Sequence, residues 1–140
     1  MKKLQKYNTN LASEYYILSM LYRLGVDAYL TLGNKKSIDI IVEYGKNVQT
    51  VDVKGLAGTT LWPLDNFKGG SKNHYIVLVS FINKISDPSI VPEVYIVPSK
   101  EISKFFYRNP KGTRLGVNLH KMRKSGTKYK DAWHYFTKLK

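Results

Sequence analysis

Two charged side chains interrupt an apolar run at Val51-Asp52-Val53-Lys54-Gly55, and this stretch has the residue types and spacing to do chemistry. Strand residues alternate between faces, so Asp52 and Lys54 share one face while Val51 and Val53 share the other. Upstream, Ser37-Ile38-Asp39-Ile40-Ile41-Val42-Glu43 passes through Tyr44-Gly45-Lys46-Asn47 into Val48-Gln49-Thr50-Val51, the pattern of a β-hairpin. A two-residue turn at Gly45-Lys46 places Asp39 directly opposite Asp52; a four-residue loop keeps that register and a one-residue bulge breaks it. Facing carboxylates with Cβ atoms about 4.5–5.5 Å apart repel by roughly 3 kcal/mol at an effective dielectric near 20. A divalent cation offsets that repulsion, and hard ions such as Mg²⁺ prefer carboxylate oxygens. The same residues also fit a hairpin with one acid at an exposed edge, or a surface ion pair between Asp52 and Lys54.

The elements that position these groups follow from the surrounding pattern. Asn10 is placed to cap a helix over Leu11–Leu24 that Gly25 stops, with Ile17, Leu18, Leu21 and Leu24 as its apolar stripe. Glu14 falls on that stripe. It fits equally as a carboxylate set at the head of the buried face and as an acid favoured in a first helical turn. Val26–Leu32 reads as a first strand, and the turn that follows carries Lys35 and Lys36 beside the acidic pair, there either to meet phosphates or to keep a loop soluble.

Beyond Gly55, Leu56–Phe67 reads as an irregular cover over one side of the site, with Trp62 and Phe67 either in the core or stacking on a base. The Lys68–His74 loop, which contains Lys72, leads to Tyr75–Ile82, a continuous apolar run expected to be a central strand buried on both faces. Glu93–Pro98 is expected as the last strand, and Ser99 as the cap of a helix over Lys100–Tyr107. From about residue 108 to 140 lies a basic block that includes Arg114, read as a C-terminal extension whose Lys130–Phe136 segment can still pack as a helix.

Composition bounds the partners. Twenty-three Lys and Arg against ten Asp and Glu give +13 over 140 residues, which points to polyanions. No apolar run approaches the roughly 18 residues that span a bilayer, and the basic N-terminus leads into polar residues, so neither a membrane segment nor a secretory signal is expected. The absence of cysteine fits a reducing, cytoplasmic interior and removes thiolate zinc sites. His74, His120 and His134 make no metal-binding spacing, no Gly-rich loop ends in Lys-Ser/Thr, and no serine sits in a nucleophile elbow.

Glu14 on a helix, Asp39 on a strand and Asp52-Val53-Lys54 on its hairpin partner resemble the PD-(D/E)XK nuclease superfamily, most closely its compact single-domain members such as the archaeal-type Holliday junction resolvases. The likeness covers Asn10 to Gly55 and continues loosely through the later strands. Asp52 stands where many members carry Glu, and Ile38 replaces the proline of the motif. The resemblance implies an α/β three-layer sandwich, a mixed central sheet of four to five strands flanked by helices, in a single domain over 1–140. It implies Mg²⁺, or Mn²⁺ in its place, held by Asp39, Asp52, the Val53 carbonyl and Glu14. Lys54 would orient the attacking water or neutralise charge on the phosphate, and Glu14 would support a second ion or a water. The function implied is metal-dependent DNA endonuclease, acting on duplex or branched DNA as a homodimer, with Lys35, Lys36, Lys72 and Arg114 as nucleic-acid contacts. The alternatives are a Holliday junction resolvase and a catalytically silent nucleic-acid-binding module of the same fold.

Overall fold

The computed structural model describes residues 6–31, 38–108, 110–111 and 114–137. Helix α1 (Lys6–Arg23) begins before the expected cap, so Asn10 lies within it. The preceding polar residues include neither Gly nor Pro, and nothing stops the helix from extending toward the N-terminus. At its other end Gly25 takes a positive φ of 74° and turns the chain into the sheet.

Strands β1 (Asp27–Leu30), β2 (Ile40–Tyr44) and β3 (Asn47–Leu56) form an antiparallel meander. Gly45, at φ +60°, opens the expected Gly45-Lys46 turn, Tyr44 pairs with Asn47, and the register runs as far as Ile40 opposite Val51. β4 (Leu61–Pro63) then leaves the sheet. The chain returns as β5 (His74–Ser80), parallel to β3, and β6 (Glu93–Pro98) closes the far edge antiparallel to β5. The resulting order, β1-β2-β3-β5-β6, makes one mixed five-stranded sheet in an α/β fold.

Alternation along the strands builds two separate cores. Val51 and Val53 of β3, Ile40 and Val42 of β2, and Val77 and Val79 of β5 face α1, where they meet Ile17 and Leu21. Ile76 and Leu78 of β5, with Tyr95 and Val97 of β6, face the other way, onto Trp62, Leu64, Val117, Leu119 and Met122. β5 is therefore buried on both faces, as its unbroken apolar run requires. It lies inside the sheet, between β3 and β6.

The cover on the second face departs from expectation. β4 pairs with β8 (Leu115–Asn118), and β8 with β7 (Tyr107–Arg108), in a small second sheet, so Glu93–Pro98 is not the last strand. Trp62 is fully buried and its indole N–H donates to the Val79 carbonyl at 3.0 Å, which settles it as a core residue. In place of a helix over Lys100–Tyr107 there is one 3-10 turn, Ile102–Phe105, preceded by Glu101. Ser99 does not cap it, because its hydroxyl instead accepts the Ser71 N–H and donates to the Ser71 carbonyl. The basic C-terminal stretch contributes α2 (Leu119–Ser125), a second 3-10 turn (Thr127–Tyr129) and α3 (His134–Thr137), which starts later than the helix expected from Lys130. Its apolar residues Val117, Leu119, Met122, Tyr129, Ala132 and Phe136 are all buried in the two cores. No helix among the described residues is long and apolar enough to cross a membrane.

One glycine sets how closely α1 approaches the sheet. A Cβ on Gly55 would stand 2.2 Å from Ser13 Oγ and 3.0 Å from both Ser13 Cβ and the Thr9 carbonyl oxygen of α1. Only a bare backbone lets the helix carrying Glu14 rest on β3. Gly55→Ala therefore lowers unfolding stability by about 1–3 kcal/mol, the usual cost of forcing extra volume into a packed contact. A urea unfolding midpoint equal to wild type would show that the contact is looser than this.

Candidate active site

The site forms where β2 and β3 part. Their ladder ends at the rung Ile40–Val51, one short of the Asp39–Asp52 rung expected from the hairpin. Asp39 sits just outside β2, and its amide donates to the Val51 carbonyl at 2.7 Å. Its carboxylate then does what a strand carbonyl would otherwise do, with Oδ2 accepting the Val53 N–H at 2.7 Å. This leaves the Asp39 carboxyl within hydrogen-bonding reach of Asp52. The two acids thus meet as expected, although through a side chain that replaces a backbone rung. A strand residue sends its N–H and C=O to the same edge, so the Val53 carbonyl also faces this side, past the last β2 rung.

Asp52 is buried on the face opposite Val51 and Val53, and Lys54 Nζ stands 3.5 Å from its Oδ2. The second sheet and its loops cover this face, which is why an acid on the polar side of β3 lies out of water. Burial, then the hydrogen bond and charge of Asp52, push the Asp39 carboxyl from the ordinary 3.8 up to about 6, against the opposing pull of the Val53 amide and Lys54. Glu14, half-buried on α1, is pushed from 4.5 to about 7, first by burial and then by the charge of Asp39. Both shifts have the same origin, negative charge gathered where little water can solvate it.

Two cavities open beside these groups. One, of about 230 Å³, is lined by Ile38, Thr50, Asp52, Phe67, Lys68, Gly69, Ser71, His74 and Ile76. The other, of about 210 Å³, is lined by Asn10, Lys54, Gly55, Pro63, Asp65, Asn66 and Arg114. Phe67 is half-buried and packs edge-on against Phe106 at the rim of the first.

The structure therefore brings Asp39, Asp52 and Lys54 together, with the Val53 main chain between them and Glu14 nearby across the α1–β3 contact. Among the described residues no group of three or more His, Cys, Asp or Glu side chains is arranged to hold a metal ion, so the donor set at hand is the Asp39–Asp52 pair with a main-chain oxygen. Arg114 stands at the rim of the second cavity, where its guanidinium bonds Asp65 at 2.8 and 3.1 Å. Lys72 is exposed on the loop before β5. Lys35 and Lys36 lie outside the described residues. Thr50 and His74, neither of which the sequence marks as a site residue, form a rung of the parallel β3–β5 pair and are joined at 2.7 Å from Oγ1 to Nδ1. The only signal that would find them is the register between strands some 24 residues apart in the chain.

In fold, the chain is similar to a bacterial homing endonuclease, I-Ssp6803I, with a TM-score of 0.59 covering 96% of this chain and 93% of that one, at 13% sequence identity. At that identity the likeness is one of fold alone. No protein-family model matches the chain, and no curated protein matches it in sequence.

The shifted acids give the protein a definite pH response. Asp39 and Glu14 both bind protons more tightly folded than unfolded, so between pH 4 and 7 these two groups hold more protons in the native state and their contribution to metal-free stability falls as pH rises. Asp39→Asn keeps an oxygen for the Val53 N–H and removes one of two charges. Its melting temperature at pH 8 without metal exceeds that of wild type, and its loss of stability between pH 4 and 6 is shallower. A variant that melts at or below wild type at pH 8 contradicts the assignment of repulsion to this pair.

Proposed function

We propose that this chain is a divalent-metal-dependent DNA endonuclease of the PD-(D/E)XK type, hydrolysing phosphodiester bonds at Asp39, Asp52 and Lys54. The observation that carries the reading is the Asp39 carboxylate, held past the end of the β2–β3 ladder by the Val53 amide and meeting Asp52, with Lys54 beside them. The fold shared with a homing endonuclease and the net charge of +13 support the same reading.

The donor atoms suit Mg²⁺, with Mn²⁺ as substitute: two carboxylates and the Val53 carbonyl are all hard oxygens, and the pair's mutual repulsion favours a cation between them. When bound, such an ion supplies Lewis-acid stabilisation of charge on the phosphate and lowers the pKa of water. The remaining work belongs to the chain. The Val53 amide fixes the direction of the Asp39 carboxylate, and Asp52 tethers the Lys54 ammonium where charge develops on a phosphate oxygen. Glu14, with its carboxyl pushed to about 7, is available to hold a water from the α1 side. Lys72 and the mouth residue Arg114 add to the field that draws a phosphate backbone toward both cavities, a role the sequence also assigns to Lys35 and Lys36. Cutting both strands of a duplex takes two such sites, which makes a homodimer the working assembly.

Wild type incubated with Mg²⁺ or Mn²⁺ cuts at least one of three substrates, a supercoiled plasmid, a single-stranded oligonucleotide or a four-way junction, and EDTA stops it. Cleavage of the junction alone would identify a resolvase. Lys54→Ala and Asp52→Asn each slow cleavage by about 10²–10³ while DNA binding persists, because the groups removed act where charge develops. Equal rates in all three proteins would place the activity elsewhere. Salt-sensitive binding by wild type with no cleavage of any substrate would identify a silent binding module.

A further inference from the structure

The face of β3 that carries the acids bears a third polar residue. Thr50, Asp52 and Lys54 follow one another on that face, spaced by about 6.6 Å, two strand rises. Lys54 opens on one cavity, and Thr50 and Asp52 on the other together with His74. Asp52 is thus flanked by an ammonium on one side and an imidazole on the other. An in-line phosphoryl displacement has the same two-sided form, since the attacking and leaving oxygens lie on opposite sides of phosphorus.

The imidazole is held in place. Its Nδ1 lies 2.7 Å from Thr50 Oγ1, across a rung that the Thr50 N–H to Asn73 carbonyl bond also fixes at 2.9 Å. Thr50 Oγ1 can accept from Nδ1–H, and the tautomer that makes this bond leaves Nε2 unprotonated. Nε2 is then the basic nitrogen available to a molecule in the cavity. Burial holds the imidazole below its usual 6.5, with Asp39 pulling the other way, and at neutral pH it is an uncharged base. Among the described residues, the ionic groups around it are Asp39 beyond β2, Asp52 on β3 and Lys68 on the facing loop.

Building on the endonuclease reading above, we propose that His74 is a further catalytic residue of this site, accepting a proton from the attacking water through Nε2 while Thr50 orients its ring. The water oxygen forms a bond to phosphorus as one water proton passes to Nε2. The P–O bond to the leaving strand breaks, the leaving oxygen keeps the electron pair and takes a proton from solvent, and His74 returns its proton to solvent.

The test uses single-turnover cleavage of whichever oligonucleotide wild type cuts, together with affinity for the same oligonucleotide in Ca²⁺ and the melting temperature. His74→Ala and His74→Gln reduce the rate by about 10²–10⁴, the range of general acid–base catalysis, with affinity changed less than about threefold. Thr50→Val gives a smaller loss. The same His74 defect persists on a substrate with sulfur in place of the leaving oxygen, because a thiolate departs without a proton and the defect lies in activating water. Recovery on that substrate would make His74 a donor to the leaving group and overturn the proposal. A loss of rate matched by loss of affinity or of folding would make it a binding or structural residue, with the same consequence. Wild-type rates for both His74 variants, with Lys54→Ala inactive, would overturn this inference and leave the endonuclease reading standing; no cleavage by wild type would end both.

Discussion

Two carboxylates held together out of water are the constraint on which the rest of this structure turns. At an effective dielectric near 20, a pair about 5 Å apart repels by about 3 kcal/mol, a large fraction of the net stability of an ordinary domain. In this chain the offsets are local: the Val53 amide donates to Asp39, Lys54 pairs with Asp52, and a proton binds Asp39 more readily than usual. None of the three removes the second negative charge at neutral pH.

That constraint explains local features that otherwise look like imperfections. β2 stops one rung early because Asp39 has left the ladder to spend its carboxylate on the Val53 amide. Gly55 is bare so that α1, and with it Glu14, can rest against the strand that carries the acids. The second sheet covers the polar face of β3 and so desolvates the pair, yet leaves a cavity on each side of Asp52. The clamp of Arg123 on Glu93, itself bonded by Tyr95, ties α2 onto β6 and holds that cover in place.

Much of this was legible in the sequence because its signals are local. The Gly45-Lys46 turn fixed the β2–β3 register, the alternation around Asp52 separated its two faces, and the unbroken run from Tyr75 announced a strand buried on both sides. The small second sheet was not legible. Its strands are two to four residues long and contain Pro63 and Gly116, and β4 pairs with β8 across more than 50 positions, as Leu61 does with Asn118. Strands that short carry no periodicity to detect. The basic composition beyond residue 108 concealed six buried apolar side chains, since charge dominates a stretch in which apolar residues are few but well placed. Thr50 and His74 were hidden for a related reason: a parallel rung between distant strands leaves no mark in either one.

Manganese offers the most direct view of the cation proposed to lie between Asp39 and Asp52. Crystals soaked in Mn²⁺ and measured near the manganese absorption edge should show an anomalous peak between the two carboxylates, within coordination distance of both and of the Val53 carbonyl. That peak should vanish in Asp39→Asn crystals of the same form. An empty site at millimolar Mn²⁺ with both acids ionised, or a peak bound only elsewhere on the protein, would contradict the account.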